Sequence, residues 1–270
     1  TVIPIVASVL LSFTDFDMVN ALKPVGVDNY IRLLLDDDIF IKALGNTLFY
    51  ALLTGPAGYL LSFIVAWLIN ETGRNMRAAL TLIFYAPALA GNVFMAWQYI
   101  FSGDAYGILN SLLMRFGFIA EAIQWQNDPQ YNSIVVITVI LWMSMGAGFL
   151  SFVAGFKQLN TSLYEAAAMD GLRNRWQELW YITLPMMKPQ LLFGAVMQIS
   201  ASFSVSTISQ ELCGFPSTKY SAHTILLHMQ DYGSLRYEMG YACAIAVVLF
   251  VLMFVFKKGV SLLMRRIGDE

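Results

Sequence analysis

Apolar residues run along this chain in blocks too long to be one face of a soluble helix, and short polar stretches separate them. Five blocks, at 44–69, 78–101, 134–156, 190–212 and 239–256, approach or exceed the roughly 20 residues that cross a bilayer core as helix. A shorter block at 1–13 opens the chain without a methionine. It is read as the remainder of a first span whose amino-terminal part precedes the sequence. No basic leader or small-residue cleavage site surrounds it, so it does not read as a signal peptide. The pattern predicts an all-α polytopic membrane protein of six spans, forming one membrane domain over residues 1–270, with no internal repeat and no linker.

Composition agrees. The chain is 58% hydrophobic and 13% charged, which excludes an ordinary soluble domain of this length. A formal net charge of −2 with scattered basic residues argues against nucleic-acid binding. The basic residues do orient the spans. Placing the termini and the loops at 70–77 and 157–189 on one side collects ten Lys/Arg there, against six in the loops at 15–43, 102–133 and 213–238. The positive-inside rule makes the first side cytoplasmic. The run Asp36-Asp37-Asp38 then falls on an outer loop and is read as solvated. The aromatics of the outer loops are read mainly as interfacial anchors.

The long polar interruption at 157–189 carries the most specific signal. It reads Leu163-Tyr164-Glu165-Ala166-Ala167-Ala168-Met169-Asp170-Gly171 and, further on, Tyr181-Ile182-Thr183-Leu184-Pro185. Ser162 and Glu165 have capping-box spacing, the three alanines are strong helix formers, and Gly171 can close a short helix in the left-handed region. A second short helix over 175–183 is expected to stop before Pro185. By itself this describes a helical hairpin of the kind many soluble proteins contain.

Together with the flanking spans, the segment resembles the EAA loop, about 158–189 here, of MalF-like permease subunits of bacterial ATP-binding-cassette (ABC) importers, which carry sugars. Ten residues, Leu172 to Tyr181, separate Gly171 from Ile182, one more than that family pattern usually has. The resemblance implies the type I importer permease fold, with Glu165, Ala166, Ala167, Asp170 and Gly171 forming a cytoplasmic coupling helix seated on an ATPase. It also implies a second homologous permease, two ATPase subunits that bind the ATP and Mg, an extracytoplasmic solute-binding protein, and a carbohydrate substrate, with an oligosaccharide expected. Consistent with this division of labour, the chain has no Gly-x-x-x-x-Gly-Lys-Ser/Thr phosphate loop and no cofactor of its own is expected.

Candidate solute contacts come from the most polar span. At 100° per residue, Gln198, Ser202, Ser206 and Ser209 fall within about 80° of one another. Such a face avoids lipid, and either packs on another helix or lines a watery path. Neutral amides and hydroxyls suit sugar hydroxyls, and the resemblance places this helix on the pathway. Asn92, Trp97 and Gln98 form a second candidate group. His223 and His228 have no companion ligands and read as poor metal candidates, and Cys213 and Cys243 read as unpaired packing residues. An ion-coupled secondary transporter is the rival class, but such proteins keep ionisable groups at mid-membrane, and these spans show almost none. A membrane enzyme would need clustered His, Asp or Glu. Related permeases also carry polyols and glycerol phosphates, so the solute class stays open on the sequence alone.

Overall fold

The computed structural model describes residues 2–90, 94–172 and 174–268, with side chains in the last helix described to Leu262. Among the described residues all regular structure is helical, apart from one isolated bridge between Thr14 and Pro24. The principal helices are α1 (Val2–Leu11), α2 (Asp38–Asn70), α3 (Arg74–Leu89), α4 (Phe94–Ile100), α5 (Ile108–Arg115), α6 (Asn132–Met143), α7 (Ala147–Gln158), α8 (Thr161–Met169), α9 (Arg175–Glu178), α10 (Lys188–Phe203), α11 (Ser206–Cys213), α12 (Ile225–Gln230) and α13 (Met239–Gly268).

Four helical stretches are long and apolar enough to cross a membrane: Asp38–Asn70, Asn132–Gln158, Lys188–Cys213 and Met239–Leu262. The pair α3 and α4, taken together, makes a fifth. At ten residues, α1 is about 15 Å long, half a bilayer core, so the described structure reaches four or five spans rather than six.

Three of the expected spans are not single helices. Residues 134–156 divide into α6 and α7 at Ser144–Gly146, where Gly146 takes a non-helical conformation before α7 (φ −95°, ψ −141°). The block 190–212 divides at Ser204 and Val205. Serines weaken a helix here because their hydroxyls compete for its backbone groups; Ser200 Oγ already donates to the carbonyl of Val196, 3.0 Å away. The block 78–101 divides after Pro87, with Ala90 extended (φ −84°, ψ 115°).

The chain forms two compact units. One comprises residues 1–52, 92–140 and 202–255, the other residues 53–91, 141–201 and 256–270.

In the second unit α7 and α10 approach closely through glycines. A Cβ built on Gly148 would lie 3.3 Å from Gly194 Cα, and one on Gly194 would lie 2.3 Å from Cζ of Phe152. Small residues of this kind let helix backbones meet where apolar burial alone cannot drive them together in lipid. Phe152 also meets the rings of Tyr59 and Phe63 edge-on, with centroids 5.4 and 5.5 Å apart, an arrangement that aromatic quadrupoles favour. Phe63, Phe149, Phe152, Phe156, Leu179, Met187 and Leu191 belong to the core around them.

The first unit holds a buried polar chain that corrects one expectation. Asp37 is not solvated: it is buried and caps α2, its Oδ1 accepting from the Phe40 N–H at 2.9 Å. Its Oδ2 accepts from His228 Nε2 at 2.9 Å and from the Tyr241 hydroxyl at 2.8 Å. His228 Nδ1 lies 3.3 Å from His223 Nε2, and both imidazoles are buried. The carboxylate only accepts, so His228 carries its proton on Nε2 and its Nδ1 accepts from His223 Nε2–H. That tautomer leaves the buried Nδ1 of His223 without a hydrogen-bond partner. Burial, then the neighbouring His228, pushes the His223 imidazole down to about 4. Burial also lowers His228, against the opposing pull of Asp37. Burial raises the Asp37 carboxyl, but the hydrogen bonds from Phe40, Tyr241 and His228 outweigh it and hold the group below its ordinary value. Among the described residues no group of His, Cys, Asp and Glu could hold a metal ion, and both cysteines are free.

Candidate functional site

The segment at 157–189 folds as a helical hairpin in the second unit. Its first limb is α8, nine residues long. The cap differs from the expected box: Asn160, not Ser162, precedes the helix, and its side chain accepts from the Ser162 N–H at 3.1 Å. Asparagine is at least as good a cap as serine, so the helix starts two residues earlier than expected and otherwise stays in place. The end is the expected one. Gly171 takes a positive φ of 94°; its N–H bonds the Ala168 carbonyl at 3.3 Å and the Leu172 N–H bonds the Ala167 carbonyl at 3.0 Å. This is the Schellman pair of bonds.

The second limb departs from expectation at Pro185. Asn174 caps α9 through a 3.1 Å bond from the Trp176 N–H, and the helix does not stop before the proline. It widens into a π-turn at Leu179–Thr183 and continues through Leu184–Met186. Proline has no N–H to place in a helical ladder, and the early positions of a turn are where that loss is tolerated. The π-turn supplies the register shift: the Leu184 N–H reaches back to the Leu179 carbonyl, which starts a new turn with Pro185 near its beginning.

Polar ties hold the limbs. The Tyr164 hydroxyl lies 2.8 Å from Thr183 Oγ1, and Thr183 Oγ1 donates to the Glu178 carbonyl at 3.3 Å. Arg175 pairs with Glu178 at 2.8 Å and with Glu71, just past the end of α2, at 3.3 Å. The rings of Trp67 and Trp176 meet at 5.3 Å. Behind the hairpin lies a cleft of about 560 Å³ whose walls include Trp67, Glu71, Arg77, Lys157, Tyr164 and Thr183.

Of the coupling residues named from the sequence, Glu165, Ala166, Asp170 and Gly171 are exposed while Ala167 turns inward and is buried. Met169 is 89% exposed, so the outward side of α8 is slim and partly apolar.

The polar stripe lies outside the hairpin, and of the two roles the sequence leaves open its burial fits helix packing. Gln198, Ser202, Ser206 and Ser209 are all buried within the chain, the geometry of internal packing. Gln198 Nε2 donates to the Thr54 carbonyl at 3.4 Å, and a Cβ on Gly58 would lie 2.4 Å from that same nitrogen. Ser209 Oγ donates to the Ala222 carbonyl. The break at Ser204 and Val205 also means that the angular count along one continuous helix does not carry through to Ser206 and Ser209. The exposed polar row of this stretch is Ser204, Thr207, Gln210 and Glu211, which the sequence count passed over. In the second group, Trp97 stacks on Phe101 with centroids 5.7 Å apart. The Gln98 side chain donates to the Glu211 backbone carbonyl, and the Gln98 backbone carbonyl accepts from the Gln126 side chain. Asn92 lies outside the described residues.

Comparison with known proteins bears on what such a hairpin on apolar spans belongs to. Residues 40–269 match the family model described as binding-protein-dependent transport system inner membrane component. The probable ABC transporter permease protein YesP of Bacillus subtilis is 32% identical over 94% of this chain and 81% of its own length. The sulfoquinovosyl glycerol transport system permease protein SmoG of Agrobacterium fabrum is 28% identical over 93% of this chain and 80% of its own. A solved bacterial alginate ABC transporter, in complex with an alginate pentasaccharide-bound periplasmic protein, superposes with a TM-score of 0.76 at 25% identity, covering 90% of this chain and 84% of that one. The hairpin, the apolar spans and a match covering most of the chain lead to one conclusion: this is a membrane-embedded permease of the binding-protein-dependent transport system inner membrane component family.

Proposed function

We propose that this chain is one permease half of an ATP-driven importer that brings a carbohydrate, an oligosaccharide in particular, into the cytoplasm. The observation that carries the reading is the hairpin: a capped, slim, outward-facing helix ending in a Schellman motif, set on membrane-crossing helices of this family. In this reading the hairpin and both termini face the cytoplasm, α1 belongs to the first of six spans, and the whole has the type I importer permease fold. A second homologous permease completes the pathway, and two ATPase subunits bind the ATP and Mg. An extracytoplasmic binding protein delivers the solute. The sugar class is supported by the relatives' solutes, sulfoquinovosyl glycerol and alginate. ATP-driven closure of the ATPases displaces the hairpin, and the membrane helices exchange between inward-open and outward-open states, a two-state element biased by ligands on opposite faces of the membrane.

Glu165→Lys and Gly171→Pro are the direct test. Each alters the exposed side or the closing turn of α8 and leaves the spans alone, so assembly in the membrane is expected to persist. ATPase retention on pull-down and glycan uptake by cells are both expected to fall severely. Wild-type uptake with a retained ATPase in both variants would remove the coupling role.

For solute contact, the exposed row Ser204, Thr207, Gln210 and Glu211 takes the role first expected of the buried stripe. Thr207→Leu and Gln210→Leu are expected to cut uptake several-fold with unchanged complex yield, since one hydrogen bond contributes roughly 0.5–1.5 kcal/mol. Gln198→Leu is expected to lower complex yield or melting temperature first. The reverse pattern would return the path to the Gln198 face.

A further inference from the structure

The cleft behind the hairpin reaches α8 at Thr161 and Tyr164 and the second limb at Glu178 and Thr183, and a few polar ties join the two limbs. One of them crosses from limb to limb at a backbone irregularity. The Thr183 hydroxyl has one proton, and it goes to the Glu178 carbonyl five residues back. The hydrogen bond 2.8 Å away at Tyr164 must therefore run the other way: Tyr164 O–H donates and Thr183 Oγ1 accepts. Thr183 is buried and closes the π-turn, the segment from which Leu184–Met186 lead into α10. Met187, at the foot of α10, is fully buried and packs where Gly155 leaves room: a Cβ on Gly155 would lie 2.8 Å from Met187 Cε. The chain of contacts from α8 to α10 is thus Tyr164 hydroxyl, Thr183 hydroxyl, π-turn, Met187. π-turns are rare, hold weakened ladders and are often found at functional positions.

We propose that Tyr164 and Thr183 are a positioning pair that pins the π-turn to the first limb of the hairpin, so that a displacement of α8 reaches α10 as motion of one rigid body. The proposal rests on the reading of the hairpin as the ATPase-coupling element. Without the tie, α8 moves and the π-turn absorbs the movement; ATP is then hydrolysed with little effect on the membrane helices. Neither residue touches solute or nucleotide in this account, and the pair acts only through the geometry it holds.

Two measurements on the permease–ATPase complex in nanodiscs test it. The first is hydrogen exchange at the amides of 179–184. Tyr164→Phe and Thr183→Val are expected to speed exchange there by about two- to tenfold, the weight of a single hydrogen bond. Thr183→Ser, which keeps the hydroxyl, is expected to stay near wild type. The second uses spin labels on cysteines placed at Met169 and Met197, with Cys213 and Cys243 replaced by alanine. In the wild type the label distance is expected to stay constant when Mg-ATP and vanadate are added, as in one rigid body. In Tyr164→Phe it is expected to shift or split, with the melting temperature unchanged. A Tyr164→Phe variant with wild-type exchange and a constant label distance would overturn the proposal. So would a Thr183→Ser variant as disturbed as Thr183→Val, because the hydroxyl would then not be the cause. If the wild-type hairpin holds no ATPase on pull-down, the coupling reading itself fails; the same exchange comparison made on the permease alone in nanodiscs still tests the tie, so the two failures are told apart.

Discussion

Replacing Asp37 with alanine is expected to lower the melting temperature of the detergent-solubilised chain more than any substitution at the hairpin. One carboxylate serves three donors: the Phe40 N–H at the start of α2, His228 Nε2 and the Tyr241 hydroxyl. Losing a helix cap costs about 1 kcal/mol. Leaving two buried donors without an acceptor adds about 1–3 kcal/mol each, so the sum is roughly 3 kcal/mol or more, in the range that only a short list of mechanisms reaches. Asp37→Asn keeps a cap acceptor and is expected to fall between. Thermal unfolding followed by tryptophan fluorescence measures all three proteins; equal melting of Asp37→Ala and wild type would show that the network carries no weight.

The same network sets a pH dependence. His223 titrates near 4 in the folded chain, and His228 is also lowered, while an unfolded imidazole titrates at about 6.5. Between those values the unfolded state binds more protons, so stability rises with pH across the window and is lost as pH falls from about 6.5 toward 4. The lowered Asp37 carboxyl acts in the same direction further into acid: its contribution is present above the unfolded carboxyl value of about 3.9 and is lost as pH falls through the folded one. Tyr232, Arg32, Asp231 and Arg236 surround the network. Melting curves at pH 7.5 and 5 are expected to diverge in the wild type and to diverge less in His223→Gln, where His228 alone remains; a wild type equally stable at both would contradict the burial argument.

The second large effect is expected at Gly194. A leucine there brings its Cβ to 2.3 Å from a ring carbon of Phe152, and that ring cannot swing aside, because it is buried and held by Tyr59 and Phe63. Overpacking commonly costs about 1–3 kcal/mol and occasionally more, and here the backbone of α7 at Gly148 is also in contact. The expected outcome is loss of monodisperse protein on size exclusion. Gly45→Ala is the internal control. Its Cβ meets nothing within 4 Å, and alanine is favoured over glycine in a helix by about 0.8–1.0 kcal/mol. If Gly194→Leu purifies as well as Gly45→Ala, the close crossing is not needed.

Much of this molecule was legible in the chain because hydropathy and chain punctuation are local. The membrane helices announced themselves by length, and the hairpin by its alanines and by Gly171. What escaped depended on partners distant in sequence. Asp37 sits in an acidic triplet that any local reading sends to water; only His228 and Tyr241, about two hundred positions later, make its burial affordable. The serine stripe presupposes one continuous helix, and the helix breaks at Ser204 and Val205. Pro185 was read as a stop, whereas the preceding π-turn lets the helix pass through it. Asn160 and Ser162 are both adequate cappers two residues apart, and local sequence does not decide between them.

Most of the apolar surface of the spans is not covered by the chain itself. Within the most hydrophobic window of each of the four long spans, between 33 and 44% is buried, and Leu60, Ile64 and Leu68 on α2, like Phe250, Val251 and Phe254 on α13, point outward. Such positions answer to hydrophobicity but not to shape, since a lipid tail accepts leucine, isoleucine, valine or phenylalanine alike. Gly148, Gly194 and Phe152 have no such latitude. Where such positions meet lipid, substitutions can therefore accumulate with little consequence for folding, and the fold is kept at a TM-score of 0.76 with only 25% identity to the alginate transporter.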